Sequence, residues 1–184
     1  MSARSIDMRY TGSVFNAFLQ SMAHNFEQAL RLMEAALTDC PDELWPADLW
    51  PHEAPTGPGP HGGLHGSAPW FLAYHGLSCL DYDLTGEFEP WAPPQPFDDN
   101  TYSLPNRMFI KPELLGYVDW CRGRVRLTLD SLTEERAARP LPSAHRYRGM
   151  LFGVLLGSVP LSSTALKPAA AAGARTGRRS RPAS

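Results

Sequence analysis

Apolar residues recur at steps of three and four along the first part of the chain. They are Phe15, Phe18, Leu19, Met22, Phe26, Leu30, Met33 and Leu37. This period places them on one face, so the pattern predicts an amphipathic helix. Ser13 is a suitable N-cap, and the Cys40–Pro41 step ends the helix because the residue before a proline disfavours helical dihedral angles. Residues 1–12 then form an N-terminal arm, and His24 lies on the polar face in solvent.

A second helix is predicted from Trp70 to Gly86, with the sequence WFLAYHGLSCLDYDLTG and one histidine, His75, near its centre. The residues at helical spacing from this histidine are Leu72, Cys79 and Tyr82. His75 therefore shares a stripe with apolar residues, and it needs a partner because an unpaired buried polar group costs about 1–3 kcal/mol. Two interpretations stay open: a core histidine hydrogen-bonded to a neighbour, or a metal ligand inside a helix bundle.

Two further helices follow. The third is predicted from Lys111 to Leu132, with a proline at its first turn, where the missing N–H does no harm. The fourth begins within MLFGVLLGSVP and stops at Pro160, because a proline inside a helix costs about 3 kcal/mol or more. Residues 158–184 are rich in Ala, Arg, Gly, Pro and Ser, a composition that predicts a disordered tail. Residues 13–157 are then one all-α domain.

Two long connections separate these helices. Residues 51–69 are rich in proline and glycine, which predicts a surface loop and not a regular metal site. The histidines of this loop are His52, His61 and His65. Residues 87–108 carry Trp91 and Phe97 among several prolines. That pattern predicts a strap packed across the helices.

Composition and charge narrow the choice of function. The chain has 184 residues, of which 43% are hydrophobic, and this suits one domain with a real core. No apolar run approaches the ~20 residues that span a bilayer, and no secretory signal is present, so we expect a cytoplasmic protein without a membrane partner. Three widely spaced cysteines predict no disulfides. The first 160 residues hold 19 acidic and 12 basic residues, a net charge of −7 that argues against a nucleic-acid partner.

The order of these segments resembles the DinB-like superfamily of four-helix-bundle metalloenzymes, which is related to mycothiol-dependent maleylpyruvate isomerases and bacillithiol transferases. The segments that carry the resemblance lie within 13–156 and are FLQSMAHNFEQALRLMEAAL, WFLAYHGLSCLDYDLTG, FEPWAPPQPF, KPELLGYVDWCRGRVRLTLDSL and HRYRGM. The resemblance implies an up-down-down-up four-helix bundle and a Zn or Ni ion held by three histidines. One of these matches His75, and the other two form an HxxxH pair on the fourth helix. A low-molecular-weight thiol and a thiol S-transferase or hydrolase reaction are also implied.

The fourth helix of this chain departs from that pattern. No histidine follows His145, and residues 146–184 contain no His, Cys, Asp or Glu. This helix therefore supplies no ordinary metal ligand, and His75 by itself does not hold a catalytic metal. We expect a chain that does not retain the metal and is inactive, and we assign no catalytic or cofactor-binding residue. The alternative is a non-catalytic helical bundle that binds a small apolar ligand or a protein partner.

A truncated fourth helix has a further consequence for packing. It leaves an apolar groove along the other three helices, and exposed apolar patches promote self-association, so we expect a homodimer. The composition of the last residues is typical of a GC-rich gene translated out of frame. This frameshift hypothesis fails if no other reading frame beyond codon 156 encodes an amphipathic helix with an HxxxH pair.

Overall fold

The computed structural model of the chain describes residues 9–49, 67–97, 105 and 107–163. Within these ranges the chain is mostly helical and forms no strand, with Pro140 and Leu151 making an isolated bridge. The helices are α1 (Arg9–Asp39), α2 (Pro69–Asp83), α3 (Lys111–Asp130), α4 (Glu134–Ala137) and α5 (Phe152–Ser163). The prediction of an all-α fold is confirmed. No helix in these ranges has both the length and the apolar character to cross a membrane.

Three sequence predictions fall outside the described residues, wholly or in part. They concern most of the N-terminal arm, the loop that contains His52, His61 and His65, and the tail beyond residue 163.

From Met22 onward the apolar stripe of α1 packs as its period predicts, whereas Phe18, a predicted member, is exposed. The buried members of this stripe are Met22, Phe26, Leu30, Met33 and Leu37. The helix ends at Asp39, just before the Cys40–Pro41 step, and His24 is exposed, as predicted. Its start differs from the prediction, because α1 begins at Arg9 and so runs through Ser13.

Contacts between α1 and α3 show that these helices run antiparallel. The ammonium of Lys111, at the start of α3, donates to the carbonyl of Cys40 just beyond the end of α1. About three turns further along α3, Arg122 pairs with Glu34 at 2.8 Å and with Glu27 at 3.4 Å. Moving forward along α3 therefore means moving backward along α1.

The contacts of α2 with α3 show the opposite relation. Trp70, at the start of α2, packs edge-to-face with Phe109 just before α3, with ring centroids 6.3 Å apart. At the far end, the guanidinium of Arg124 lies 3.4 Å from the carboxylate of Asp81. These two helices run parallel, so the first three long helices are arranged up, down and down.

The segment after α2 lies across the helices, as the strap prediction states. Phe97 is buried and stacks on Tyr117 of α3, with ring centroids 4.4 Å apart. Phe97 also packs edge-to-face against Phe109 at 4.7 Å, which places it in an aromatic cluster of the core. The confirmed part of the strap is residues 87–97, since the residues that follow lie mostly outside the described ranges.

Helix α5 packs against α1, α2 and α4 and buries the side chains of Phe152, Leu155 and Leu156. It continues to Ser163, so the predicted stop at Pro160 is wrong. A proline ring fixes φ near the helical value, and a helix that accepts the loss of one hydrogen bond can pass through it. The predicted start of the tail at residue 158 therefore falls inside this helix. With 12 residues, α5 is much shorter than α1, which has 31.

Candidate functional site

The predicted ligand His75 lies at the middle of α2, half-buried at the edge of the core. Its ring stacks on Phe71 with centroids 6.0 Å apart, and its Nε2 atom lies 3.7 Å from Sγ of Cys79. The fully buried face of the helix is a different one, which carries Tyr74 and Leu77. The stripe of α2 that contains His75, which the sequence predicts to be buried, is therefore only half-buried and lies at the side of the helix.

A row of polar side chains continues from His75 along this flank. Cys79 and Asp83 follow at intervals of four residues, which places all three on one face of the helix. The loop between α4 and α5 brings His145 and Arg146 onto the same face. The Arg146 guanidinium lies 2.6 Å from the Asp83 carboxylate and 3.9 Å from the Cys79 sulfur. Nε2 of His145 lies 3.8 Å from the other Asp83 oxygen. We call these five residues the α2 polar row.

The electrostatics of the α2 polar row disfavour a reactive thiol. Burial raises the pKa of the Cys79 thiol, although the charge of Arg146 opposes this shift. Burial likewise raises the pKa of the Asp83 carboxyl, against the opposing charges of Arg146 and His145. A thiol needs to be a thiolate to act as a nucleophile or metal ligand. Cys79 is therefore held in its protonated, less reactive form at neutral pH.

The α2 polar row does not fit the ligand set that the resemblance implies. The described residues contain no group of three or more His, Cys, Asp or Glu that could hold a metal ion. His75 and Cys79 offer two donor atoms, and the Arg146 guanidinium beside the sulfur repels a cation. A catalytic zinc site needs three protein ligands and an open position.

A second buried carboxylate lies on the other side of α2. Asp81 is 1% exposed and accepts a hydrogen bond from the indole of Trp91 at 3.0 Å. Trp120 and Tyr117 donate to the same carboxylate from α3, and Arg124 lies within ion-pair distance. Burial raises the pKa of Asp81, with the Trp91 hydrogen bond as the first opposing effect. This carboxylate fastens the 87–97 strap to α2 and α3.

An open cleft of about 520 Å³ lies between the strap and the loop that precedes α5. Its lining residues are Tyr82, Thr85, Glu87, Phe88, Glu89, Pro90, Trp91, Pro142 and Ala144. The rings of Tyr82 and Trp91 are nearly perpendicular, at 83°, with centroids 5.6 Å apart. The cleft thus combines aromatic walls with two carboxylates.

The backbone turns sharply where the cleft begins. Gly86 has φ of 60° and Glu87 has φ of 56°, a region that non-glycine residues rarely adopt. The turn places Glu87 so that its Oε1 atom accepts a hydrogen bond from the hydroxyl of Tyr82. The other oxygen, Oε2, is buried and no described residue donates to it. Strained residues of this kind cluster at binding and catalytic sites.

Comparison with known proteins adds no identification to this geometry. The chain matches no protein-family model, no curated protein and no solved structure. The class that the described residues define is therefore a helical protein with a cleft beside α2.

Proposed function

We propose that this chain is a DinB-like helical bundle that binds a small, partly apolar molecule and carries out no metal-dependent reaction. The cleft beside α2 is the observation that carries the proposal. Ligand sites are typically concave, about 300–1,000 Å³ in volume and lined by aromatic side chains with a few polar groups. The cleft, at about 520 Å³ with aromatic and carboxylate walls, has these properties.

The DinB-like part of the proposal is supported by the order and direction of the long helices. An antiparallel α1–α3 pair and a parallel α2–α3 pair agree with the first three members of an up-down-down-up bundle. His75 lies at the middle of the second helix, where the superfamily has its metal-ligating histidine. The fourth helix of that bundle would be α5, which is short.

The non-catalytic part of the proposal is supported by the chemistry of the α2 polar row. Arg146 occupies the place beside Cys79 where a cation would have to come, and the thiol has a raised pKa. The loss of the Zn or Ni ion that the resemblance implies, the low-molecular-weight thiol and the homodimer stay predictions from the sequence.

Binding at the cleft is tested with a neutral fluorescent probe, N-phenyl-1-naphthylamine, whose emission rises in apolar sites. We expect saturable binding that Ala144→Phe weakens, because a phenyl ring at this lining residue occupies part of the cleft. The matched control is Ala35→Phe, which adds the same group at an exposed position on α1. Equal binding by both variants would place the probe elsewhere and contradict the proposal.

Metal analysis tests the second half of the proposal. The protein is purified from cells supplied with zinc and nickel, and its metal content is measured beside that of His75→Ala. We expect substoichiometric metal in both. A stoichiometric metal that is lost in His75→Ala would contradict the proposal and favour a metal-dependent enzyme.

A further inference from the structure

The walls of the cleft have the chemistry that recognises a positively charged organic group. We propose that the ligand of the cleft is a small organic cation, an alkylated ammonium compound. This inference rests on the proposed binding function and names the class of its ligand. Three observations carry it: the arrangement of the aromatic rings, the way they are held, and the charge of the lining.

Two aromatic side chains line the cleft with their rings nearly perpendicular to each other. Tyr82 and Trp91 both line it, and their ring planes cross at 83°. The face of an aromatic ring carries partial negative charge and attracts a cation within about 6 Å of the ring centre. Phe88, a third lining residue, already has the guanidinium of Arg139 4.3 Å from its ring centre, so one ring of this group contacts a cation within the chain itself.

The rings are held in place before any ligand arrives. The indole of Trp91 donates to Asp81 at 3.0 Å, and the hydroxyl of Tyr82 donates to Glu87. The ring of Tyr82 also stacks on His145, with centroids 5.6 Å apart and planes 13° from parallel. Because these side chains are already held in place, binding loses less conformational entropy. Weak individual contacts then still give measurable affinity.

The charge of the lining selects the sign of the ligand. Among the residues that the structure describes, the cleft is lined by two carboxylates, Glu87 and Glu89, and by no basic side chain. Three arginines lie around the cleft: Arg146 is paired with Asp83, Arg124 lies 4.0 Å from Glu89, and Arg139 lies over the ring of Phe88.

One carboxylate oxygen of the lining has no donor among the described residues. Glu87 Oε2 is buried without a donor from any described residue, and leaving such an oxygen unpaired costs free energy. Because this oxygen is buried, a ligand in the cleft interacts with the Glu87 carboxylate by charge attraction at a distance and not by direct contact. A cationic ligand gains from this attraction, whereas a purely apolar one does not. An anionic ligand would meet the repulsion of both glutamates.

The experiment compares choline with 3,3-dimethylbutan-1-ol, which has the same shape but no charge. Each compound is titrated into the full-length protein by calorimetry, and displacement of N-phenyl-1-naphthylamine is followed in parallel. We expect choline to bind about tenfold more tightly than the neutral compound, from its attraction to the rings and carboxylates. Equal affinities would overturn the inference about charge while leaving a ligand-binding cleft in place.

Two variants locate the effect. Glu87→Gln keeps the size of the side chain and removes its charge, so we expect choline affinity to fall about tenfold and the affinity of the neutral compound to stay unchanged. Glu89→Gln serves as a second variant if Glu87→Gln disturbs folding, because Glu89 is exposed. The control is Glu43→Gln, an exposed glutamate outside the cleft lining, which should leave both affinities unchanged. Loss of choline affinity in the control to the same extent would overturn the inference.

Failure of this inference and failure of the proposed function give different results. If the dye binds at the cleft and choline does not displace it, the ligand class is wrong and the binding function stands. If neither compound nor the dye binds, both are wrong.

Discussion

The buried carboxylate of Asp83 pairs with the partly exposed guanidinium of Arg146, which lies 63 positions further along the chain. The Asp83 side chain is only 5% exposed, so its charge depends on this partner. The sequence places Asp83 within a largely apolar helix, so it predicts that this carboxylate needs a partner when it is buried. It does not show which residue is the partner. A contact over such a distance follows from the fold and from no local pattern.

Removing the arginine should therefore destabilise the protein. For Arg146→Met we expect the free energy of unfolding to fall by about 2 kcal/mol, because a buried carboxylate loses its counter-charge. Urea denaturation measures this, with Arg148→Met, at an exposed arginine two residues away, as the control. The double variant Asp83→Asn/Arg146→Met should recover part of the loss. Equal stability of Arg146→Met and the parent protein would contradict this account of the pair.

Asp81 makes a pH-dependent contribution to stability. Burial raises the folded-state pKa of Asp81 above the ordinary value of 3.8. Between the ordinary and the raised pKa, Asp81 therefore carries a proton more often in the folded state than in the unfolded state. The contribution of Asp81 is therefore most favourable at low pH, and it declines as the pH rises through the folded-state pKa. Once the pH exceeds that pKa, the contribution becomes constant.

The variant Asp81→Asn isolates this effect because it cannot ionise. We expect its free energy of unfolding, relative to the parent protein, to rise with pH from below the ordinary pKa of Asp81 to above the raised one. Urea denaturation at several pH values measures the difference, and Asp130→Asn, at an exposed aspartate at the end of α3, is the control. A difference that does not change with pH would mean that Asp81 ionises equally easily in both states.

At the scale of the element, helix periodicity predicted the long helices well and their ends less well. The end of α1 before the Cys40–Pro41 step is correct because a proline constrains the residue before it. The start at Arg9 was missed because a capping residue such as Ser13 can also lie within a helix. The stop at Pro160 was wrong because a proline ring is compatible with helical φ, and the helix continues through it to Ser163.

The turn after α2 depends on Gly86. This residue has φ of 60°, and a Cβ atom added there would lie 2.9 Å from the ring of Phe152. We expect Gly86→Ala to lower the free energy of unfolding by about 2 kcal/mol, since both the backbone and the packing are strained. Thermal or urea denaturation measures this.

A matched control for that substitution lies in α3. Gly116→Ala adds the same methyl group in open space on a helix, where alanine is favoured over glycine by about 1 kcal/mol. We expect this variant to be more stable than the parent protein. A similar loss of stability in both variants would refute the argument from conformation and packing at Gly86.

At the scale of the whole molecule, the sequence predicted an all-α chain and the strap, and the structure agrees. The α2 polar row could be predicted only on its α2 side, as His75 and Cys79 on one stripe. The cleft could not be predicted, because the strap, the end of α2 and the loop before α5 form it together. Sequence patterns report periodicity within an element, whereas a cleft depends on how separate elements pack.

The predicted homodimer can be tested through an exposed apolar residue. Val14 of α1 is 63% exposed, and Leu32 further along the same helix is 46% exposed. The short α5 would leave the first turns of α1, which include Val14, free to contact a second copy of the chain. Val14→Lys should then weaken self-association, whereas Leu32→Lys, near the other end of the helix, should not. Sedimentation velocity over a range of concentrations measures this. A parent protein that is monomeric at every concentration would contradict the dimer itself.

The ion pair between Asp83 and Arg146 has a consequence for biosynthesis. While the ribosome is still translating α3, the end of α2 has no guanidinium to neutralise its carboxylate. The helices made first therefore lack a partner that neutralises this end of α2 in the finished fold. The chain completes its core late, once the residues just before α5 have left the exit tunnel.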